Sequence, residues 1–430
     1  MRASSRSSFR STPVAATRED AGTNPHARTR GLACGCRLLK KDPTSGVGGS
    51  PSLLLLFASF LRMGLTAFGG PAMVAYIRKR VVGQRQWLDP DAFHAGVALC
   101  QAVPGATAMQ MAAYVGLKLR GVPGALCCYL GFGLPAFLFM LALSIAYSRA
   151  SNLPAVISAF SGLQAVIVAV VANATVSFGR TALTHWKHGL IALVAAGLFG
   201  LRVNPALIVL LAALLGLLLN GRPPASLKAA HTGRMEPTAR PLLFFLIVSG
   251  AAFTLLFLFS SELFQLAILM SKIDLLAFGG GFASVPLMFH EFVDVRAWMD
   301  APTFLNGIVL GQFTPGPIVI TATFVGYIVY GFWGALVATG AIFLPSFLIL
   351  IGVAPWFDQL RTSPWFTRAI DGILCSFVGL LFSVTIGFAL NVTWDWPHLA
   401  LGAAAFAALF CKVDILWVVL AGTAISAFAF

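Results

Sequence analysis

Charge is what this chain has least of. Only 10% of its 430 residues are Asp, Glu, Lys or Arg, where soluble domains carry about 25%. That shortage excludes an ordinary water-soluble globule, and with it the two or three soluble domains that length alone would suggest. Familiar catalytic signatures are missing too. There is no His-Glu-x-x-His helix and no Gly-x-x-x-x-Gly-Lys-Ser/Thr phosphate loop, so neither zinc hydrolysis nor ATP-driven work is written in the chain. No serine nucleophile motif with base and orienter, and no paired acids, occur inside the apolar runs. The loops are too short to hold a soluble catalytic domain, which argues against an enzyme. Cysteine is sparse: seven residues, five of them inside apolar runs, where free Cys behaves as a small core residue. Cys34-Gly-Cys36 has no second pair to complete a metal site. Nothing calls for a cofactor.

What the chain does have is apolar surface. Hydrophobic residues make up 58% and the mean hydropathy is +0.86, so the solvent of most of the chain is lipid. The formal charge of +14 would suggest nucleic acid in a soluble protein. Here the basic residues sit in the first 50 residues and in short loops, where they orient a membrane protein instead. No nucleic-acid partner is expected; the bilayer is.

The composition divides the chain. Residues 1–50 form a basic tail, net +6 from nine basic and three acidic residues, with no apolar period and an expectation of disorder. A first repeat is expected at 51–220, a polar linker at 221–241, a linking transmembrane helix at 242–260 and a second repeat at 261–430. Apolar runs fall at 53–77, 93–116, 122–147, 154–178, 188–202, 204–220, 242–259, 262–286, 304–329, 332–355, 366–390, 397–411 and 413–430. Spans need about 20 residues, so 188–202 and 204–220 read as thin spans or a pair that only dips into the membrane. The fold class is an all-α, polytopic transmembrane bundle.

An internal repeat runs at an offset of about 210 residues. Phe68-Gly69-Gly70 returns as Phe278-Gly279-Gly280, and Arg62 as Lys272. Trp87, Phe93, Leu99, Gln101, Pro104 and Gly105 return as Trp298, Phe304, Leu310, Gln312, Pro315 and Gly316; Leu134-Pro135 returns as Leu344-Pro345. Seven apolar runs separate the two starts, and an odd number would invert the second copy. The loop 78–91 carries net +2 (Arg78, Lys79, Arg80, Arg85 against Asp89, Asp91), while its counterpart 287–303 carries net −2 (Arg296 against Glu291, Asp294, Asp300). The basic tail fits inversion only if a break at 68–71 folds the first run back on itself.

Two features interrupt helices in mid-run. One is Phe68-Gly69-Gly70-Pro71 with Phe278-Gly279-Gly280-Gly281. The other is Val103-Pro104-Gly105-Ala106 with Thr314-Pro315-Gly316-Pro317. Broken backbone in a bilayer is tolerated only against protein or water, and a helix restarting after a break offers free amides and a positive dipole end to an anion. Arg62 and Lys272 are the candidate cations. Thr66, Thr314, Thr321 and Thr323 are candidate hydroxyl donors, and Gln101 and Gln312 candidate amide donors. Each has a plainer alternative: the glycines permit close helix packing, the cations snorkel, the threonines bond their own helix. Asp274 either neutralises Lys272, the favoured reading, or carries a coupling proton. His94 and His290 read as loop residues.

The motif order resembles the chromate ion transporters, in their long, two-domain form. Phe60-Leu61-Arg62 leading to Phe68-Gly69-Gly70-Pro71 is similar to that family's first signature. Trp87-Leu88-Asp89 with Leu99-Cys100-Gln101 before Pro104-Gly105, and Leu310-Gly311-Gln312-Phe313-Thr314-Pro315-Gly316-Pro317 continuing to Thr321-Ala322-Thr323-Phe324, resemble its later blocks. The resemblance covers about residues 53–430 and implies a multi-pass plasma-membrane transporter that expels chromate, with sulfate as a competitor. Departures touch substrate choice and coupling ion: Val74 stands where the family commonly has His, Arg78-Lys79-Arg80 replaces acids, and Ala106 replaces the second proline of Pro-Gly-Pro. A sulfate or other oxyanion carrier, and an anion channel, remain open alternatives. The sequence leaves oligomeric state open, a homo-oligomer included.

Overall fold

A computed structural model describes residues 51–68, 72–219 and 239–429. Among them every regular element is helical. The first repeat holds α1 (Leu53–Thr66), α2 (Ala72–Arg78), α3 (Pro90–Ala102), α4 (Thr107–Ala150), α5 (Pro154–Ala182), α6 (Trp186–Gly200) and α7 (Pro205–Leu219). After α8 (Ala239–Phe259) the series returns as α9 (Ser261–Leu276), α10 (Ser284–Phe289), α11 (Ala301–Phe313) and α12 (Thr321–Val353). A short α13 (Phe357–Arg361) precedes α14 (Pro364–Asn391), α15 (Trp396–Phe410) and α16 (Ile415–Ala429). Among the described residues, five helical segments are long and apolar enough to cross a membrane, Thr107–Ala150, Ile318–Arg361 and Pro364–Asn391 included. The basic tail, Gly69-Gly70-Pro71 and most of the polar linker lie outside the described residues.

The local signals are those of the sequence. Ser52, Asp89, Ser260, Asp300 and Asp395 cap helix starts with their side chains, supplying acceptors for amides that have none inside the helix. Both long helices fold back on themselves. In α4 the chain leaves helical geometry at Arg120 and Gly121, and in α12 at Tyr330 and Gly331. Gly116 lies against the backbone of Gly124, and Gly326 against that of Gly334, so each long helix is a tight hairpin of two arms. The gaps between apolar runs at 116–122 and 329–332 mark these reversals.

The first arm of α4 also packs on α3, where the Tyr114 hydroxyl donates to the Ala92 carbonyl. Thus α3 and residues 107–119 make a helical hairpin with its tip at Val103–Ala106. The α11–α12 start repeats this hairpin with its tip at Thr314–Pro317. Each tip meets the other repeat: the Gly105 amide donates to the Ala277 carbonyl at 2.8 Å, and the Gly316 amide to the Ala67 carbonyl at 2.9 Å. Equivalent bonds with the roles exchanged define a pseudo-two-fold relation between the halves. Gly105 and Gly316 hold φ of +113° and +121°, open to glycine and strained for other residues.

The outer helices are exchanged as well. The α6–α7 hairpin packs on α14 of the second repeat, and α15–α16 packs on α5 of the first. Ser426 joins the α5 ladder, donating to the Ser158 and Ala159 carbonyls while accepting from the Gly162 amide. Large buried residues such as Phe60, Phe132, Phe324 and Phe377 fill one continuous core. By contrast no described residue of α8 is fully buried, and most of its face is exposed, as a helix facing lipid on one side should be.

Candidate functional site

Beside the crossed tips lies a cavity of about 490 Å³. At about 30 Å³ per water it has room for an oxyanion and roughly a dozen waters. Three places where a break gives way to a helix or helical turn line it: Ala106–Ala108, Gly279–Gly281 and Pro317–Ile318. Ala106 caps α4 without a side-chain bond, and Pro317 stands in the same position before the helical turn that leads into α12. Their first amides therefore have neither an intrahelical partner nor a side-chain acceptor. The dipoles of both helix starts favour negative charge there.

Side chains add to this. Arg78, at the end of α2, and His94 and Gln101, two turns apart on one face of α3, all line the cavity. The Thr107 hydroxyl sits beside Gly280, where an added Cβ would lie 3.3 Å from Oγ1. A cation, an imidazole, an amide, a hydroxyl and two helix starts converge on one space that is otherwise apolar.

The residues expected from the sequence divide into three groups. Gln101, Gly279, Gly280 and Pro317 line the cavity. Pro104, Gly105, Pro315 and Gly316 form the crossed tips beside it, and Phe68 and Phe278 sit half-buried at the edges of the first breaks. Gly69, Gly70 and Pro71 lie outside the described residues.

The remaining candidates point elsewhere. Arg62 is exposed on α1. Lys272 binds Glu291 at 2.6 Å, and Arg296 holds the other oxygen of the same carboxylate. This corrects the expectation that Asp274 neutralises Lys272. Burial alone would raise the Glu291 carboxyl, but its hydrogen bonds and charge contacts with Lys272 and Arg296 outweigh that and hold it below the ordinary carboxylate range. Thr66, Thr314 and Thr321 donate to carbonyls of their own helix or turn, and Thr323 pairs with Thr339 at 2.7 Å. Gln312, the counterpart of Gln101, has a buried Nε2 without a partner.

Arg78, His94 and Thr107 are the polar lining residues that the sequence reading did not select. Arg78 was counted among loop charges and His94 given a loop role, because their inward placement depends on how α2 and α3 meet the second repeat. One signal was available: at equivalent positions the second repeat carries Phe289 and Leu305, a replacement of polar by apolar that marks a difference in use.

Comparison with known proteins agrees with the repeat. The family model described as "Chromate transporter" matches twice, at residues 54–217 and 264–427. An uncharacterised transporter of Methanocaldococcus jannaschii is 43% identical over 373 residues, 86% of this chain and 93% of that one. A chromate transport protein of Pseudomonas aeruginosa is 32% identical over 367 residues, 82% of this chain and 85% of its own. One of Cupriavidus metallidurans is 30% identical over 360 residues, covering 83% and 88%. No solved structure matches. With both halves matched and the relatives covered nearly from end to end, the chain belongs to the chromate transporter family.

Proposed function

We propose that this protein is a secondary transporter that expels chromate across the plasma membrane, binding the oxyanion in the cavity beside the crossed hairpin tips. The observation that carries the reading is the convergence of uncapped helix starts at Ala106–Ala108 and Pro317–Ile318 with Arg78 on one 490 Å³ space. A buried dianion loses hydration that no single side chain replaces. Several fixed dipoles and a cation share that load, and they do so without shedding their own solvent on each cycle. The relatives named for chromate transport supply the substrate, and sulfate, a dianion of the same shape, is the natural competitor.

An inside-negative potential drives anions outward, at about 2.3 kcal/mol per charge per 100 mV. No nucleotide site is needed for export. The basic cluster Arg78, Lys79, Arg80 and Arg85 beside the cavity raises the local anion concentration. The opposite loop charges support repeats of opposite orientation in the bilayer, so that the crossed tips lie near mid-membrane and each repeat opens the site to one side.

The test is uptake of labelled chromate and sulfate into inverted vesicles holding wild type or Arg78→Gln. Saturable flux of both anions, reduced about 10- to 100-fold in the variant (1.4–2.8 kcal/mol), is expected. Flux that never saturates would instead indicate a channel. Unchanged flux in Arg78→Gln would remove the cavity from the mechanism.

A further inference from the structure

Asp274 is the other ionisable group at the crossed tips. It is 1% exposed, in the last turn of α9, and three residues before Ala277, the carbonyl that receives the Gly105 amide. Its Oδ2 accepts from the Ser346 amide at 2.7 Å, and Oδ1 lies 3.1 Å from where a Gly105 Cβ would stand. Gly105 in turn adjoins Ala106 in the cavity wall. A carboxyl group therefore lies one residue behind the proposed anion site, separated from it by the tip itself.

No cation balances it among the described residues. On its own helix Lys272 is engaged by Glu291. From α4 the facing titratable group is Tyr129, whose hydroxyl donates to the Phe343 carbonyl at 2.7 Å and lies 3.5 Å from the Ser346 hydroxyl. From α12 comes uncharged Ser346; its tyrosines, Tyr327 and Tyr330, lie beyond or at the reversal. α10 carries no charged residue, and α8 only Arg240 at its exposed start. An unbalanced carboxylate in such surroundings is costly, and taking up a proton removes the cost.

Local structure alone does not require the acid. Pro345 breaks the α12 ladder, and α9 repairs it: the Ser271 hydroxyl donates to the Ala341 carbonyl and Asp274 accepts the Ser346 amide. The equivalent Pro135 in α4 manages without such repair, since Leu61, Gly64 and Ala136 occupy the matching places. There Gly64 packs directly on the Phe132 backbone. The acid is thus an addition to one half, beside the joint that both halves share.

We propose that Asp274 is a proton-binding site whose occupancy is linked to that of the oxyanion cavity. The proton neutralises Asp274 and removes repulsion of the anion across Gly105, so each ligand strengthens the other equally. One proton bound with a dianion leaves net negative charge, and the membrane potential still expels the pair. The inference rests on the proposed anion site, and its test separates the two. Chromate and sulfate affinity of the purified full chain is measured against pH, beside infrared titration of the carboxyl carbonyl band. Wild-type affinity should fall on raising pH by up to about tenfold per unit, the limit for one linked proton. Asp274→Asn, which can still accept from Ser346, should bind both anions with a clearly weaker pH dependence and lose the titrating band. Asp274→Glu should shift the band's midpoint and the affinity profile together. Asp274→Asn with wild-type pH dependence, or a wild type with no titrating band assignable to Asp274, overturns the proton site. A band that titrates normally while neither anion binds at any pH overturns both the linkage and the anion reading, but leaves Asp274 as a proton site.

Discussion

The two repeats share a skeleton and differ in what fills it. In the first, Arg78, Phe93 and Phe178 border open space. In the second, the equivalent Phe289, Phe304 and Phe388 close on one another with ring centroids 5.1–6.3 Å apart. One cation exchanged for one phenyl ring separates an open cavity from a closed core, because the ring completes an edge-to-face cluster while the guanidinium stays exposed. The outer ends differ in the opposite sense. Lys272, Glu291 and Arg296 tie the second repeat together, whereas the matching residues of the first, Arg62, Arg80 and Arg85, are all cations. The comparison teaches that duplication supplied the crossed tips, and later divergence gave one half an open cavity and the other the fastening.

The sharpest way to break this contrast is to make the first half resemble the second. Arg78→Phe with His94→Leu should fill the cavity and lower chromate flux by at least about 100-fold (2.8 kcal/mol), with the protein still inserted and monodisperse in detergent. Flux within threefold of wild type would show that the open space is incidental. Next in size is Gly105→Ala. The positive φ costs about 1–2 kcal/mol, and the new methyl group would meet the Ser346 side chain and approach the Asp274 carboxyl. Its melting temperature should fall further than that of Gly316→Ala, which shares the φ penalty but meets only the Ala136 side chain. Equal losses would argue that the two tips are interchangeable.

The fastening predicts a pH effect. Glu291 is held below its unfolded value, near 4.3 for a free Glu, so its stabilisation is complete above that value and disappears as pH falls through the lower, folded one. Thermal stability in detergent should drop across that acidic window. Glu291→Gln should be less stable at neutral pH and lose that part of the acid dependence; an unchanged profile would remove the ion triad from the stability of this end. Smallest of all is Arg62→Gln. An exposed cation with no contact to the cavity should change flux less than twofold, and a large loss would return Arg62 to the transport path.

The sequence carried the breaks plainly, because glycine and proline advertise irregular backbone wherever they fall inside apolar runs. It also carried the reversals at Arg120–Gly121 and Tyr330–Gly331 as short gaps in hydropathy. What it could not carry were pairings across long stretches of chain. Lys272 finds Glu291 within a π-helical segment, His290–Val295, on the far side of α10, and the nearer Asp274 faces the other way. Gln101 was identifiable as a polar residue beside a break. Arg78 was not, because a cation at a helix end looks the same whether it meets headgroups or a cavity. The threonines were ambiguous for a different reason: a hydroxyl on a helix always has a carbonyl of its own within reach, and Thr314 and Thr321 take it.

The exchanged outer helices have a consequence for biogenesis. The partners that cover α5 are α15 and α16, which leave the ribosome long after it. Until then the flank of α5 around Ser158 and Gly162 can be covered only by lipid or by a holding factor. Insertion of the first half and completion of its tertiary structure are therefore separated in time by the synthesis of more than 200 residues, and a chain that stops before Ser426 leaves the first half as incomplete as the second.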